Sequence, residues 1–146
     1  MTSDTGKTIG SLTTPKALLR FCLPTVWAGV ILWLSLTSSP PEIKGFLGWD
    51  KLLHAGAYGL LALLSTEFFY FMQRSLPRAV VFGILVTLAF GALMEVLQAV
   101  SGTGRTAEWL DLVADAVGAI AGCVVFCLAV VVSSRKSPTG RKPHAE

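Results

Sequence analysis

The stretch WLDLVADAVGAIAGCVVFCLAVVV, from Trp109 to Val132, decides the fold. Its only charged residues are two aspartates near the start. A helix needs about 20 mostly apolar residues to cross the roughly 30 Å hydrocarbon core of a bilayer, and this run meets that length. Three more runs of the same kind precede it, at about Ala17 to Thr37, Leu52 to Met72 and Arg78 to Val100. The fold class expected is all-α: a four-helix transmembrane bundle with helices at about 17–37, 52–72, 78–100 and 109–132. Residues 1–16 and 133–146 form an N-terminal tail and a basic C-terminal tail.

Composition agrees with this reading. Hydrophobic residues make up 53% of the 146-residue chain and charged residues 14%, about half the charged share of a soluble domain, and mean hydropathy is +0.64. The length suits one domain. The connections SSPPEIKGFLGWD, QRSLP and SGTGRTAE are short and carry the Pro and Gly of turns. A net charge of +3 does not imply a nucleic-acid partner, because Lys and Arg sit between apolar runs instead of on one patch. The first run, FCLPTVWAGVILWLSLTSS, is long for a signal h-region and lacks a good small-x-small cleavage pattern, so it is read as a retained span.

Orientation follows from the basic residues. With the N-terminus inside, the cytoplasmic segments hold Lys7, Lys16, Arg20, Arg74, Arg78, Arg135, Lys136, Arg141 and Lys142, nine of the twelve; Lys44, Lys51 and Arg105 lie outside. The positive-inside rule then places both termini in the cytoplasm. Trp33, Trp49 and Trp109 suit an outer aromatic belt, and Phe68, Phe69, Tyr70 and Phe71 an inner one. The expected location is a bacterial plasma (inner) membrane, crossed several times.

Charged groups inside a span cost roughly 2.5 to 3.5 kcal/mol each on insertion scales and often mark function. On the second helix Asp50, His54, Tyr58, Leu61 and Ser65 fall within an arc of roughly 80°, with Lys51 at its edge. On the third, Glu95 and Gln98 share a face with Thr87 and Gly91. On the fourth, Glu108, Asp111, Asp115, Gly118 and Gly122 form one stripe, carboxylates first and glycines after. Gly91, Gly118 and Gly122 are expected at helix contacts, since small residues let helix backbones approach closely in lipid.

These polar residues gather at the outer end, where five carboxylates face Lys51 and Arg105. The excess must be protonated, hydrated or paired with a bound cation or amine. The candidate ligand-binding or polar cluster is therefore Asp50, Lys51, His54, Tyr58, Glu95, Gln98, Arg105, Asp111 and Asp115. No catalytic residue is assigned. Glu67, near the inner aromatic run, is expected to snorkel to the interface.

No cofactor is expected. His54 with acids lacks HExxH-like spacing, so no metal site is assigned. Cys22, Cys123 and Cys127 show no CxxC and read as packing residues. SGTGR lacks the order of a phosphate loop, and Ser101 and Thr103 have no visible base partner.

The stretches DKLLHAGAYGLLALL (Asp50 to Leu64), EVLQ (Glu95 to Gln98) and GRTAEWLDLVADAVGAIAG (Gly104 to Gly122) together resemble the VanZ-like family of small bacterial membrane proteins. The matching positions are Asp50, Lys51, His54, Tyr58, Glu95, Gln98, Gly104, Arg105, Asp111, Gly118 and Gly122, and Asp115 stands where the family commonly has Asn. The resemblance covers about Trp49 to Gly122 and leaves out the first helix and both tails. It implies a cell-envelope membrane protein. The family's namesake is linked to low-level resistance to the lipoglycopeptide teicoplanin, and some members are labelled transbutyrylase-like.

Three functions fit these residues. The leading one is a non-enzymatic envelope protein that binds an amphiphile, a lipid-linked wall precursor or a lipopeptide, in addition to the bilayer. The second is a membrane-embedded hydrolase or transferase acting on an outer-leaflet lipid, with His54 or Glu95 as general base and Arg105 holding an anionic group. The third is a structural or assembly protein in which the polar residues lock the helices together.

Overall fold

The computed structural model describes residues 15–37, 49–101 and 109–136, and all of these are helical apart from Thr37, Arg74, Ser75 and Ser101. The helices are α1 (Pro15–Leu36), α2 (Trp49–Gln73), α3 (Leu76–Val100) and α4 (Trp109–Lys136). Their 22, 25, 25 and 28 residues correspond to about 33 to 42 Å at 1.5 Å per residue. All four are long and apolar enough to cross a membrane.

The helices overrun the apolar windows read from sequence by up to four residues. Helical hydrogen bonding continues past the hydrocarbon boundary, whereas a count of apolar residues stops there. Pro77 does not break α3, because it stands in the first turn, where its missing N–H has no helical partner anyway. Pro24 lies inside α1, where it leaves the carbonyl one turn earlier without its usual donor. The α2–α3 turn is tight: Arg74 takes a positive φ of 53°, and its N–H closes onto the Tyr70 carbonyl at 2.9 Å. Glycine commonly fills that helix-terminating position.

Packing is closest between α2 and α4, for a local reason. A Cβ added at Gly118 would collide with the Ala55 carbonyl, and one at Gly122 with the Gly59 carbonyl; one at Gly59 would stand 3.1 Å from the Gly118 oxygen. The backbones touch because the facing positions are Gly118, Gly122 and Gly59, with Ala55 the largest residue among them. A Cβ at Gly83 of α3 would likewise meet the Thr66 side chain of α2. Thr66 is fully buried and lies 3.3 Å from the Cys123 sulfur, which joins α2, α3 and α4 at mid-bundle.

The first helix is an outrigger. It packs on α2 and α3 and makes no comparable contact with α4. Ile31 joins Tyr58, Leu61 and Met94 in one small core, flanked by Trp27, Phe90 and Leu97. Two polar ties supplement it: Trp27 Nε1 donates to the Ala57 carbonyl at 2.9 Å, and Gln98 Nε2 to the Ser35 carbonyl at 3.3 Å. Outside these contacts the surface is apolar, with Leu52, Val81, Leu93, Val117 and Val124 all exposed, as expected of helices solvated by lipid.

The aromatic run at the far end of α2 does more than edge the bundle. Phe68 meets Phe21 edge-on at 5.8 Å, Phe69 lies 5.4 Å from Phe82, and Tyr70 meets Phe126 at 5.7 Å, so these rings bind α2 to each of the other helices. Trp33 and Trp109 are largely exposed.

Candidate functional site

The glycine contact between α2 and α4 sets the site. Asp50, Lys51, His54 and Tyr58 occupy the opening turns of α2, and Asp111 and Asp115 those of α4. With Ala55 and Gly59 pressed onto Gly118 and Gly122, the polar turns just before them are brought face to face. Packing residues and polar residues share one stripe on each helix, so bringing the first together aligns the second.

Two cross-helix pairs result. Lys51 Nζ bonds Asp111 Oδ1 and stands 3.6 Å from Asp50 Oδ2. One turn deeper, His54 Nδ1 lies 3.0 Å from Asp115 Oδ1, and the other ring nitrogen, Nε2, lies 3.9 Å from Asp111 Oδ2. With Asp115 ionised, Nδ1–H donates to it and Nε2 is the nitrogen left for other work. The His54 ring stacks on Tyr58, with centroids 6.0 Å apart and planes 6° from parallel. Tyr58 in turn packs against Phe90 of α3.

Burial rises steeply along the cluster. The Asp50 side chain is 67% exposed, while that of Asp115 is 1% exposed. Asp115 Oδ2 has no hydrogen-bond partner and lies where α3 offers only Gly91: a Cβ there would come within 2.8 Å of it. Thr87 Oγ1, one turn further along α3, is buried and likewise without a partner. A buried oxygen in that state costs about 1 to 3 kcal/mol.

Asp50, His54 and Asp111 each offer a ligand atom, all within 4.8 Å of one another, a spacing that a metal ion could bridge. No short sequence motif announces this set, because its donors come from two helices about 60 residues apart in the chain.

Not every residue read from sequence joins the group. Gln98 Nε2 donates to the Ser35 carbonyl of α1 at 3.3 Å. Glu95 is half-buried on α3, one turn beyond Gly91. Gly104, Arg105 and Glu108 lie outside the described residues. At the opposite end, Glu67 accepts from Arg20 Nε at 3.0 Å instead of reaching out alone, and the Arg20 guanidinium also covers Phe71 at 4.6 Å. Sequence reasoning passed over Thr66, Trp27, and the Ala55 and Gly59 pair. The four-residue spacing of Ala55 and Gly59 was visible as a small-residue face.

No family model matches the chain, and neither a curated protein nor a solved structure does.

Proposed function

We propose that this chain is a multi-pass protein of the bacterial plasma membrane whose polar cluster faces outward and binds an amphiphilic envelope ligand, a lipid-linked wall precursor or a lipopeptide. The reading takes the orientation from the distribution of Lys and Arg, and the link to lipoglycopeptide resistance from the likeness to VanZ-like proteins. The observation that carries it is that the described residues gather charge at one end of the bundle, while α3 and α4 leave an apolar groove between them. Asp50, Lys51, His54 and Asp111 stand at one end of the bundle, partly open. An open groove of about 670 Å³ lies between α3 and α4, lined by Leu85, Ala89, Ala92, Leu112, Ala116 and Ile120 among others. Polar groups at one end of the bundle and an apolar trough between α3 and α4 offer the two kinds of surface that a charged headgroup and an acyl or polyprenyl chain require.

The test is binding of a radiolabelled polyprenyl-diphosphate precursor, and separately of teicoplanin, to the purified protein in nanodiscs. Asp111→Asn and the groove-filling Ala116→Leu are each expected to weaken binding of one of these probes at least several-fold in well-folded protein. Unchanged binding in both variants, or none by the wild type, would sink the reading.

A second reading, an enzyme acting on an outer-leaflet lipid, is favoured by the His54–Asp115 pair. A carboxylate holding Nδ1 and leaving Nε2 available is the arrangement of an oriented general base. It predicts turnover of a labelled lipid that His54→Ala abolishes. If instead the paired charges only lock α2 to α4, cluster variants will lower folded yield and change nothing else.

A further inference from the structure

We infer that Asp50, His54 and Asp111 form a binding site for a divalent transition-metal cation of the zinc class, with Asp115 as the residue that orients the histidine. The donor set is one imidazole nitrogen and two carboxylates, with ligand atoms gathered within 4.8 Å. Ligands at about 2.0 to 2.2 Å from one zinc ion stand roughly 3.4 Å apart at the tetrahedral angle. His54 Nε2 and Asp111 Oδ2 are 3.9 Å apart, about half an ångström wider than that, and the exposed Asp50 side chain, within 4.8 Å of both, is the one that must swing in to close on an ion. Lys51 holds Asp111 Oδ1 and stands 3.6 Å from Asp50 Oδ2, while the oxygen facing His54 is Asp111 Oδ2, so metal binding requires the ammonium to release Asp50.

Two further observations point to a cation. First, Asp115 is wholly buried directly beneath His54 and binds Nδ1 through Oδ1, while its second oxygen has no partner. A carboxylate on the far nitrogen of a ligating imidazole fixes its tautomer and aims Nε2 at the metal. Second, among the described residues Asp50 and Asp111 share the ammonium of Lys51 while Asp115 pairs with His54, so with His54 neutral these three carboxylates exceed that ammonium by two charges. A divalent ion supplies the missing two. Imidazole among the donors favours zinc or a similar metal over magnesium or calcium, which take all-oxygen sites. With three protein ligands the ion keeps an open position. In that position it would take a phosphate or carboxylate oxygen of the amphiphile, the one step here that rests on the proposed ligand function.

The experiment uses the full chain in nanodiscs, carrying His144→Gln so that His54 is the sole histidine. The protein is stripped with chelator, dialysed against Zn²⁺ in the presence of excess Mg²⁺, and its metal content read by mass spectrometry. One zinc per chain is expected. Asp50→Asn, His54→Gln and Asp111→Asn should each weaken binding at least tenfold, and Asp115→Ala by about 10-fold to 100-fold without removing a ligand. Glu67→Gln should change nothing. Cobalt substitution gives a second readout, a visible absorption band that His54→Gln removes. Asp50 is so exposed that its variant folds whatever becomes of the others. Substoichiometric zinc in folded wild type, or equal affinity in the wild type and Asp50→Asn, overturns the site. The two proposals fail separately: amphiphile binding by folded protein that takes up no zinc removes the metal alone, whereas zinc bound without any amphiphile binding removes only the ligand function.

Discussion

His54 and Asp115, sixty-one residues apart, meet at 3.0 Å through Nδ1 and Oδ1 across the α2–α4 interface. The carboxylate is the more buried partner, and it makes only this one hydrogen bond among those found. Removing the side chain takes from the mostly buried imidazole the carboxylate it is bonded to. Asp115→Ala is therefore expected to cost about 1 to 3 kcal/mol. Asp115→Asn should cost less than about 1 kcal/mol, since the amide oxygen still accepts from His54 and the buried charge is gone. Thermal unfolding in detergent, followed by near-ultraviolet circular dichroism, checks both; equal losses would show that the bond to His54 is not what Asp115 contributes.

A methyl group at Gly118 or Gly122 would strike a backbone carbonyl of α2, and backbone cannot step aside as a flexible side chain can. Gly118→Ala and Gly122→Ala should each destabilise by about 1 to 3 kcal/mol through overpacking. Gly29 and Gly56 are built-in controls, with nothing within 4 Å of an added Cβ; alanine there should be neutral or mildly stabilising, by up to about 1 kcal/mol. The same unfolding assay separates the pairs, and parity between them would contradict the close α2–α4 approach.

The light attachment of α1 makes it the first element to detach. Its polar ties are Trp27 to the Ala57 carbonyl and Gln98 to the Ser35 carbonyl, each worth about 0.5 to 1.5 kcal/mol. Native-state hydrogen exchange should show α1 amides opening at lower free energy than those of α2 and α4. Trp27→Phe and Gln98→Ala should speed α1 exchange selectively. Uniform exchange across all four helices would contradict this.

Arg20 and Glu67 are each about one-third exposed on their side chains, so solvent weakens their attraction. A double-mutant cycle with Arg20→Ala and Glu67→Ala should give a coupling of no more than about 1 kcal/mol. Part of the Arg20→Ala loss should persist when Glu67 is already absent, because the guanidinium also lies over Phe71 at 4.6 Å.

Orientation has a direct assay. In a background with Cys22, Cys123 and Cys127 replaced, Ser101→Cys at the end of α3 should react with a membrane-impermeant maleimide added to intact cells, and Ser134→Cys near the end of α4 only after permeabilisation. The reverse pattern would put the polar cluster on the cytoplasmic side.

Much of this architecture was legible in the residues alone. Four apolar runs of spanning length announce four helices, because backbone N–H and C=O groups in hydrocarbon must pair within their own segment. The 100° step of a helix also put Asp111, Asp115, Gly118 and Gly122 on one stripe before any neighbour was known. The partners were not legible. That Lys51 takes Asp111, that Gln98 bonds the Ser35 carbonyl, that Glu67 belongs to Arg20 and that Asp50, His54 and Asp111 converge all depend on how the helices rotate and cross. That geometry is settled by contacts such as Gly118 on Ala55 and Gly122 on Gly59, between residues some sixty positions apart, and no local periodicity encodes it.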